Sequence, residues 1–150
     1  MAQTLVSMYA HVVFSTKDRA DLIDPDIESR LYPFIASTVA RIGACAMAIN
    51  GTENHLHLLL SLSKNHAISQ HLNVIKKTSS RWMNEHRVVQ TRFAWQTGYG
   101  AFSVSRSGVE RVRRYIDRQK DHHRAMSFED ELRAMLTLHD VAFDERYVWT

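Results

Sequence analysis

Alternation of apolar and polar positions divides the chain into strands and helices before any residue has a role. Leu5 to Ser15 is rich in strand-forming Val, Tyr and Phe, with Val6, Met8, Ala10, Val12 and Phe14 sharing one face. From Asp24 the period becomes helical, with Ile27, Leu31, Phe34, Ile35, Thr38, Val39 and Ile42 at three- and four-residue steps. Asp24 suits the N-cap and Pro25 the first helical position, whereas Pro33 is expected to kink the helix or delay its start. Ala44–Ile49 reads as a second strand that ends in a tight turn at Asn50-Gly51.

The third strand is "NHLHLLL", Asn54 to Leu60. Side chains alternate along a strand, so Leu56, Leu58, Leu60 and Leu62 share one face while His55 and His57 share the other. A second helix follows, defined by Ile68, Leu72, Ile75, Ser79, Trp82 and Met83, with Asn73, Lys76, Lys77, Ser80, Arg81 and Asn84 on its other side. Gly98 and Gly100 lead into a short fourth strand at Ala101–Ser105. Ser107-Gly108-Val109-Glu110 has the spacing of a capping box, opening a third helix to about Arg124 with Val109, Val112 and Ile116 as its stripe. Ser127–Leu136 reads as a fourth helix and Val141–Trp149 as an irregular tail or short strand.

The resulting order, β-α-β-β-α-β followed by helices, is the ferredoxin-like arrangement: an α+β fold with two helices on one face of an antiparallel sheet. In that topology the third strand is central and lies beside the first. Its leucines would pack under the helices, leaving His55 and His57 on the opposite face. With 150 residues, 45% of them hydrophobic, and neither repeat nor linker, residues 1–150 are expected to form one domain.

Charge changes this picture more than composition does. The net charge is only +3, but Lys64 to Arg124 holds 13 Lys and Arg against 4 Asp and Glu. Both flanking segments are net acidic. A basic middle of this kind suits a phosphate-bearing partner, although solvated helix faces give the same count. No apolar run approaches the ~18 residues that span a bilayer, and the first residues lack a secretory signal, so the expected place is the cytoplasm, without a membrane partner. The single cysteine, Cys45, is expected to be a buried thiol.

Two imidazoles at i, i+2 can share one metal ion, yet two ligands do not make a site. His11, His66, His71, His86 and His139 carry no sharper signal and are given structural roles. The third helix adds Tyr115 and Gln119, four apart at one edge of its apolar stripe. A tyrosine there is ordinarily a core-edge residue with a wetted hydroxyl. Gln119 could nonetheless give a carbonyl oxygen to a metal while Tyr115 offers its hydroxyl to the same place. Arg111, Arg113, Arg114, Arg118, Lys120 and Arg124 around them favour an anionic substrate.

Six stretches together carry a family resemblance: "HVVFSTKDR" (11–19), "NGTENHLHLLL" (50–60), "KKTSSRWMNE" (76–85), "FAWQTGYGAFSVS" (93–105), "YIDRQKDHH" (115–123) and "FDERYVW" (143–149). Over nearly its whole length the chain resembles the single-tyrosine HUH transposases of the insertion-sequence 200/605 group. The resemblance implies a divalent metal ion, Mg2+ or Mn2+, held by His55, His57 and Gln119. It implies Tyr115 as the nucleophile, cutting single-stranded DNA that carries a short hairpin and leaving a 5′-phosphotyrosine for rejoining. It also implies a homodimer, with Tyr115 serving its own or its partner's site. Expected DNA contacts are Lys17, Arg19, Lys76, Lys77, Arg81, Arg111 and Arg118, with Trp95, Tyr99 and Phe102 as possible stacking platforms and Trp82 as core. Glu53, just before the motif, is read as a strand cap. Rival readings are a host-retained relative that nicks repeat-associated hairpins, a histidine-metal hydrolase, and a non-catalytic nucleic-acid-binding module; the last leaves Tyr115 and Gln119 unexplained.

Overall fold

The computed structural model describes residues 2–150. Strands β1 (Tyr9–Ser15), β2 (Cys45–Gly51), β3 (His55–Ser61) and β4 (Gly100–Val104) form one antiparallel sheet in the order β2-β3-β1-β4. Helices α1 (Pro25–Arg41) and α2 (Ile68–Glu85) connect them, and α3 (Val109–Asp117), α4 (Gln119–His122) and α5 (Phe128–Leu138) follow. This is the expected α+β, ferredoxin-like order with added C-terminal helices.

The main core lies between one face of the sheet and α1 and α2. Val12, Phe14, Leu56, Leu58 and Leu60 meet Leu31, Ile35, Val39, Leu72 and Ile75 there, all fully or almost fully buried. The other face is closed by two smaller clusters. Helix α3 sets Val109 and Ile116 against Ala48 and Leu59, and α5 sets Phe128, Leu132, Met135 and Leu136 against Val13 and Phe102. Strand β3 is thereby buried on both faces, with its two histidines between α3 and α5.

Several boundaries differ from the sequence expectation. Strand β1 begins at Tyr9 because its ladder ends opposite Ser61, so Val6 and Met8 are exposed rather than in register with the core. Pro33 neither kinks nor delays α1, which runs unbroken from Pro25; its ring lies on the exposed side. Asp24 caps that helix by accepting from the Ile27 amide at 2.8 Å. A bulge between Ala46 and Ala48 carries β2 on to Gly51, moving the turn to Glu53-Asn54. The capping box at Ser107 does not form; Ser107 sits in a 3-10 turn with its hydroxyl 3.0 Å from that of Ser105. The third helix stops at Asp117, where Arg118 leaves helical geometry (φ −96°, ψ 13°) before α4 begins. Cys45 opens the edge strand β2 and is exposed, not buried. Residues 141–149 form the irregular tail, one of the two expectations, with turns over 145–149 and no strand.

Gly51 shows what the hairpin requires. A Cβ there would lie 2.0 Å from the His55 carbonyl oxygen, a collision with backbone that no rotamer relieves. Its glycine serves close strand approach, not turn conformation. At Gly98 the nearest atom is 3.4 Å away. Gly51→Ala should therefore lower unfolding free energy by about 1–3 kcal/mol or more, whereas Gly98→Ala stays within about 0.5, as read by urea denaturation.

Candidate active site

The site is built from β1, β3, the break between α3 and α4, and α5. His55 and His57 are both fully buried on the face of β3 away from α1 and α2. The His55 Nδ1 lies 2.8 Å from Asn54 Oδ1, an acceptor, which places the ring proton on Nδ1 and leaves a lone pair on Nε2. That lone pair faces two further acceptors, Gln119 Oε1 at 3.5 Å and Glu131 Oε1 at 3.6 Å. His57 lies deeper. Its Nε2 is 2.8 Å from Glu131 Oε1 and its Nδ1 is 2.8 Å from His11 Nε2. An ionised carboxylate only accepts, so neutral His57 gives Nε2–H to Glu131 and receives the Nε2 proton of His11.

Helix α3 delivers Tyr115, whose hydroxyl donates to Glu131 Oε2. The break at Arg118 then turns the chain so that Gln119 Nε2 donates to the same oxygen at 3.0 Å, while His123 Nε2 meets Glu131 Oε1 at 2.9 Å. The last turn of a helix leaves carbonyls unpaired, and here Asn50 of β2 satisfies them, its Nδ2 bonding the carbonyls of Ile116 at 3.0 Å and Asp117 at 3.2 Å. Lys120 locks the break by bonding Asn50 Oδ1 at 2.9 Å and Glu28 at 3.0 Å. His122 Nε2 is 3.2 Å from Glu131 Oε2 but badly aligned, and it finds no hydrogen bond. Ser127 caps α5 by accepting from the Asp130 amide at 3.1 Å, and one residue on Glu131 enters the apolar stripe of that helix, 2% exposed.

Burial and the carboxylate set the protonation states. Burial lowers the pKa of His57 to about 4, with His55 and His123 adding to it against the pull of Glu131, and burial and the neighbouring His57 lower that of His11 to about 3. His55 is lowered as well, again by burial first. Burial opposes the charge on His123 too, but the hydrogen bond and charge of Glu131 outweigh it and raise its pKa. For Glu131 burial works against ionisation, yet the surrounding imidazoles of His123, His55 and His57 pull it well below the carboxylate range. Burial, then the Glu131 hydrogen bond and charge, push the Tyr115 hydroxyl well above its ordinary value. The resting arrangement is a neutral phenol held on a buried carboxylate.

A divalent cation fits this constellation. His55, His57, His123 and Glu131 each direct one donor atom into a region where all lie within 4.8 Å of one another. Donors about 2.1 Å from a common ion lie about 3.4 Å apart in a tetrahedron and at most about 4.2 Å apart, so the widest-spaced donors must draw together by roughly 0.6 to 1.4 Å. Three acceptors already converge without a donor among them: His55 Nε2, Gln119 Oε1 and Glu131 Oε1. A cation relieves that mismatch.

Two cavities flank the cluster. One, of about 720 Å³, opens onto Tyr115 and Glu131 and is lined also by His11, Phe102, Arg111 and His122. Among the described residues, Glu131 is its only carboxylate. The other, of about 580 Å³, reaches His123 and carries Asp24, Glu28, Glu53 and Glu129 against Lys120 and Arg124.

Of the basic residues expected to contact DNA, Arg111 reaches the Tyr115 cavity and Arg118 is exposed at the helix break. Lys17 is exposed in the turn after β1. Arg19 is bound to Glu129 at 2.6 Å beside Trp149. Lys76, Lys77 and Arg81 lie on α2, across the sheet from Tyr115. Lys76 turns inward, bonding the carbonyls of Thr97 at 3.1 Å and Gly98 at 2.6 Å, and burial lowers its pKa to about 8. Lys77 is exposed, and Arg81 pairs with Glu85 at 3.1 Å. Trp95 is core, donating from Nε1 to Ser79 Oγ at 2.8 Å; Trp82 stacks on Phe34, Tyr99 is exposed, and Phe102 is buried in the cavity wall. Residues that the sequence left out are His11, His123 and Glu131. His11 shares the face of His55 and His57 by strand parity, and Glu131 is a lone acid in the stripe Phe128, Leu132, Met135; both signals were present in the chain.

The profile of the family described as "Transposase IS200 like" matches residues 4–119. No curated protein matches the chain significantly. Among solved structures it is similar to a candidate transposase from Deinococcus radiodurans R1, with TM-score 0.63 and 19% identity, covering 79% of this chain and 96% of that one. It is similar also to a REP-associated tyrosine transposase bound to a REP hairpin, with TM-score 0.61 and 13% identity, covering 96% and 91%. At such identities the likeness is one of fold.

The depressed histidines make stability depend on pH. Unfolded, His11 and His57 bind a proton near their ordinary value of 6.5; folded, they resist until about 3 and about 4. The unfolded state therefore binds more of these protons below that value, and the contribution of this pair to stability should be level above pH 6.5 and fall away as pH drops toward 4, while the raised His123 contributes in the opposite sense. Urea titrations in EDTA across that range should show the fall, and His11→Gln should flatten part of it.

Proposed function

This chain belongs to the family of IS200-like transposases, and we propose that it is a metal-dependent single-stranded DNA endonuclease and strand transferase that uses Tyr115 as its nucleophile. The observation that carries the reading is a phenol, one turn before the helix break, bonded to a buried carboxylate that three histidines surround. His55, His57 and Gln119 would hold a divalent cation, Mg2+ or Mn2+. Bound there, the ion would polarise the scissile phosphate and offset the charge that builds up on its oxygens.

The chain's own residues do the rest. Tyr115 Oη attacks phosphorus, the bond to the 3′-oxygen breaks, and the tyrosine is left carrying the 5′-phosphate while the other strand end gains a 3′-hydroxyl. The phenol must lose its proton in this step; Glu131 Oε2, already its hydrogen-bond acceptor, is the atom through which that proton leaves. To ligate through Nε2, His57 must move its own proton to Nδ1, and His11 Nε2 at 2.8 Å accepts it, so His11 serves either tautomer. Attack by a second 3′-hydroxyl on the phosphotyrosine rejoins DNA without ATP, because the bond energy is retained.

Charge supports the path of the substrate. A phosphodiester is drawn to the cavity holding Tyr115 and Arg111 and is disfavoured by the four carboxylates of the other. Family membership, together with a fold neighbour described as bound to a REP hairpin, supports hairpin-bearing DNA as the substrate. Action as a homodimer follows the family resemblance, with Tyr115 serving its own or its partner's site.

Incubation with Mn2+ and single-stranded DNA from both flanks of the gene, followed by a denaturing gel, should give a heat-resistant protein–DNA adduct. Tyr115→Phe and His57→Ala should each remove it; an adduct surviving Tyr115→Phe would place the nucleophile elsewhere. Arg111→Ala should weaken binding and reduce the slope of log affinity against log salt by about 0.7, the value for one phosphate contact on a single strand.

A further inference from the structure

Beyond the expected pair of histidines and Gln119, the cation site has two unclaimed donors. His123 stands just after α4 and Glu131 one turn into α5, both past residue 119, where the family profile ends. Their donor atoms converge with those of His55 and His57 within 4.8 Å. Glu131 Oε1 lies 2.8 Å from His57 Nε2, 2.9 Å from His123 Nε2 and 3.6 Å from His55 Nε2, so three imidazole nitrogens already point at one oxygen. The second oxygen of the same carboxylate holds Tyr115 and Gln119.

We propose that His123 and Glu131 are ligands of this cation, making the site a three-histidine, one-carboxylate centre that prefers a nitrogen-seeking transition ion over Mg2+. The inference rests on the reading of the cluster as a metal centre and deepens it. Mg2+ favours oxygen donors and keeps its waters, whereas imidazole suits the later first-row ions. With three nitrogens and one charged oxygen from the protein, Zn2+ should bind more tightly than Mn2+, and Mn2+ more tightly than Mg2+. Gln119 contributes a neutral amide oxygen, a weaker donor than the carboxylate. Because Glu131 spans the cation position with one oxygen and the Tyr115 hydroxyl with the other, loading the site and placing the nucleophile become one event.

The test is calorimetric titration of the metal-free full-length protein with Mn2+, Zn2+ and Mg2+ alone, without DNA. His57→Ala, Glu131→Gln, His123→Ala and Gln119→Ala run beside the exposed control Glu85→Gln, each checked for native circular dichroism. Glu131→Gln and His123→Ala should each weaken Mn2+ binding at least about tenfold, and Gln119→Ala less than either. If both bind as the native protein does while His57→Ala does not, the two are not ligands and the inference falls alone. If the native protein binds none of the ions, the metal-centre reading falls with it. Should the variants misfold, the native protein loaded with Co2+ decides: intense visible absorption marks a four- or five-coordinate ion, as proposed. The weak absorption of a six-coordinate ion would overturn the inference.

Discussion

A single buried carboxylate organises the functional half of this molecule. Glu131, 2% exposed, has bonds to a phenol, an amide and two histidines drawn from three separate segments. A carboxylate so far from water is tolerated only because every lone pair is met, and removing one partner of such a buried charge typically costs about 3–5 kcal/mol. The same need ties α5 to the sheet and to α3. The polar network is thus both a structural clasp and the place where chemistry is concentrated.

That clasp is possible because β3 is buried on both faces with unlike chemistry. Its leucines close a conventional core with α1 and α2, which fixes the strand rigidly enough to present two imidazoles on the other side. The smaller clusters beneath α3 and α5 seal the histidines from bulk water. Desolvation then keeps His11 and His57 neutral, the state a metal ligand needs, while the break at Arg118, stapled by Asn50 and Lys120, sets the angle between Tyr115 and Gln119.

Electrostatic distribution agrees with this geometry in part only. The basic middle of the chain splits between two faces of the fold. Arg111 borders the tyrosine cavity, while Lys76, Lys77 and Arg81 lie across the sheet, with Lys76 spent on backbone carbonyls. A linear count of charges therefore overstates what one substrate meets.

The order of elements, the sheet topology and the pairing of His55 with His57 were legible in the chain, because strand parity and helical spacing are local consequences of backbone geometry. So was the Tyr115–Gln119 spacing, although that helix breaks between them and does not run on to Arg124. His11 was reachable by the same parity once β1 is set beside β3, and Glu131 stands out as an acid within an apolar stripe. What linear order could not decide is which distant groups share a volume. Tertiary packing alone brought residues 11, 57, 115, 119, 123 and 131 together, turned Trp95 and Lys76 inward and left Cys45 at an open edge. Spacing along the chain dictates direction and face, whereas contact between segments 46 or 74 residues apart, as between His57 and each of His11 and Glu131, depends on how whole layers close over one another.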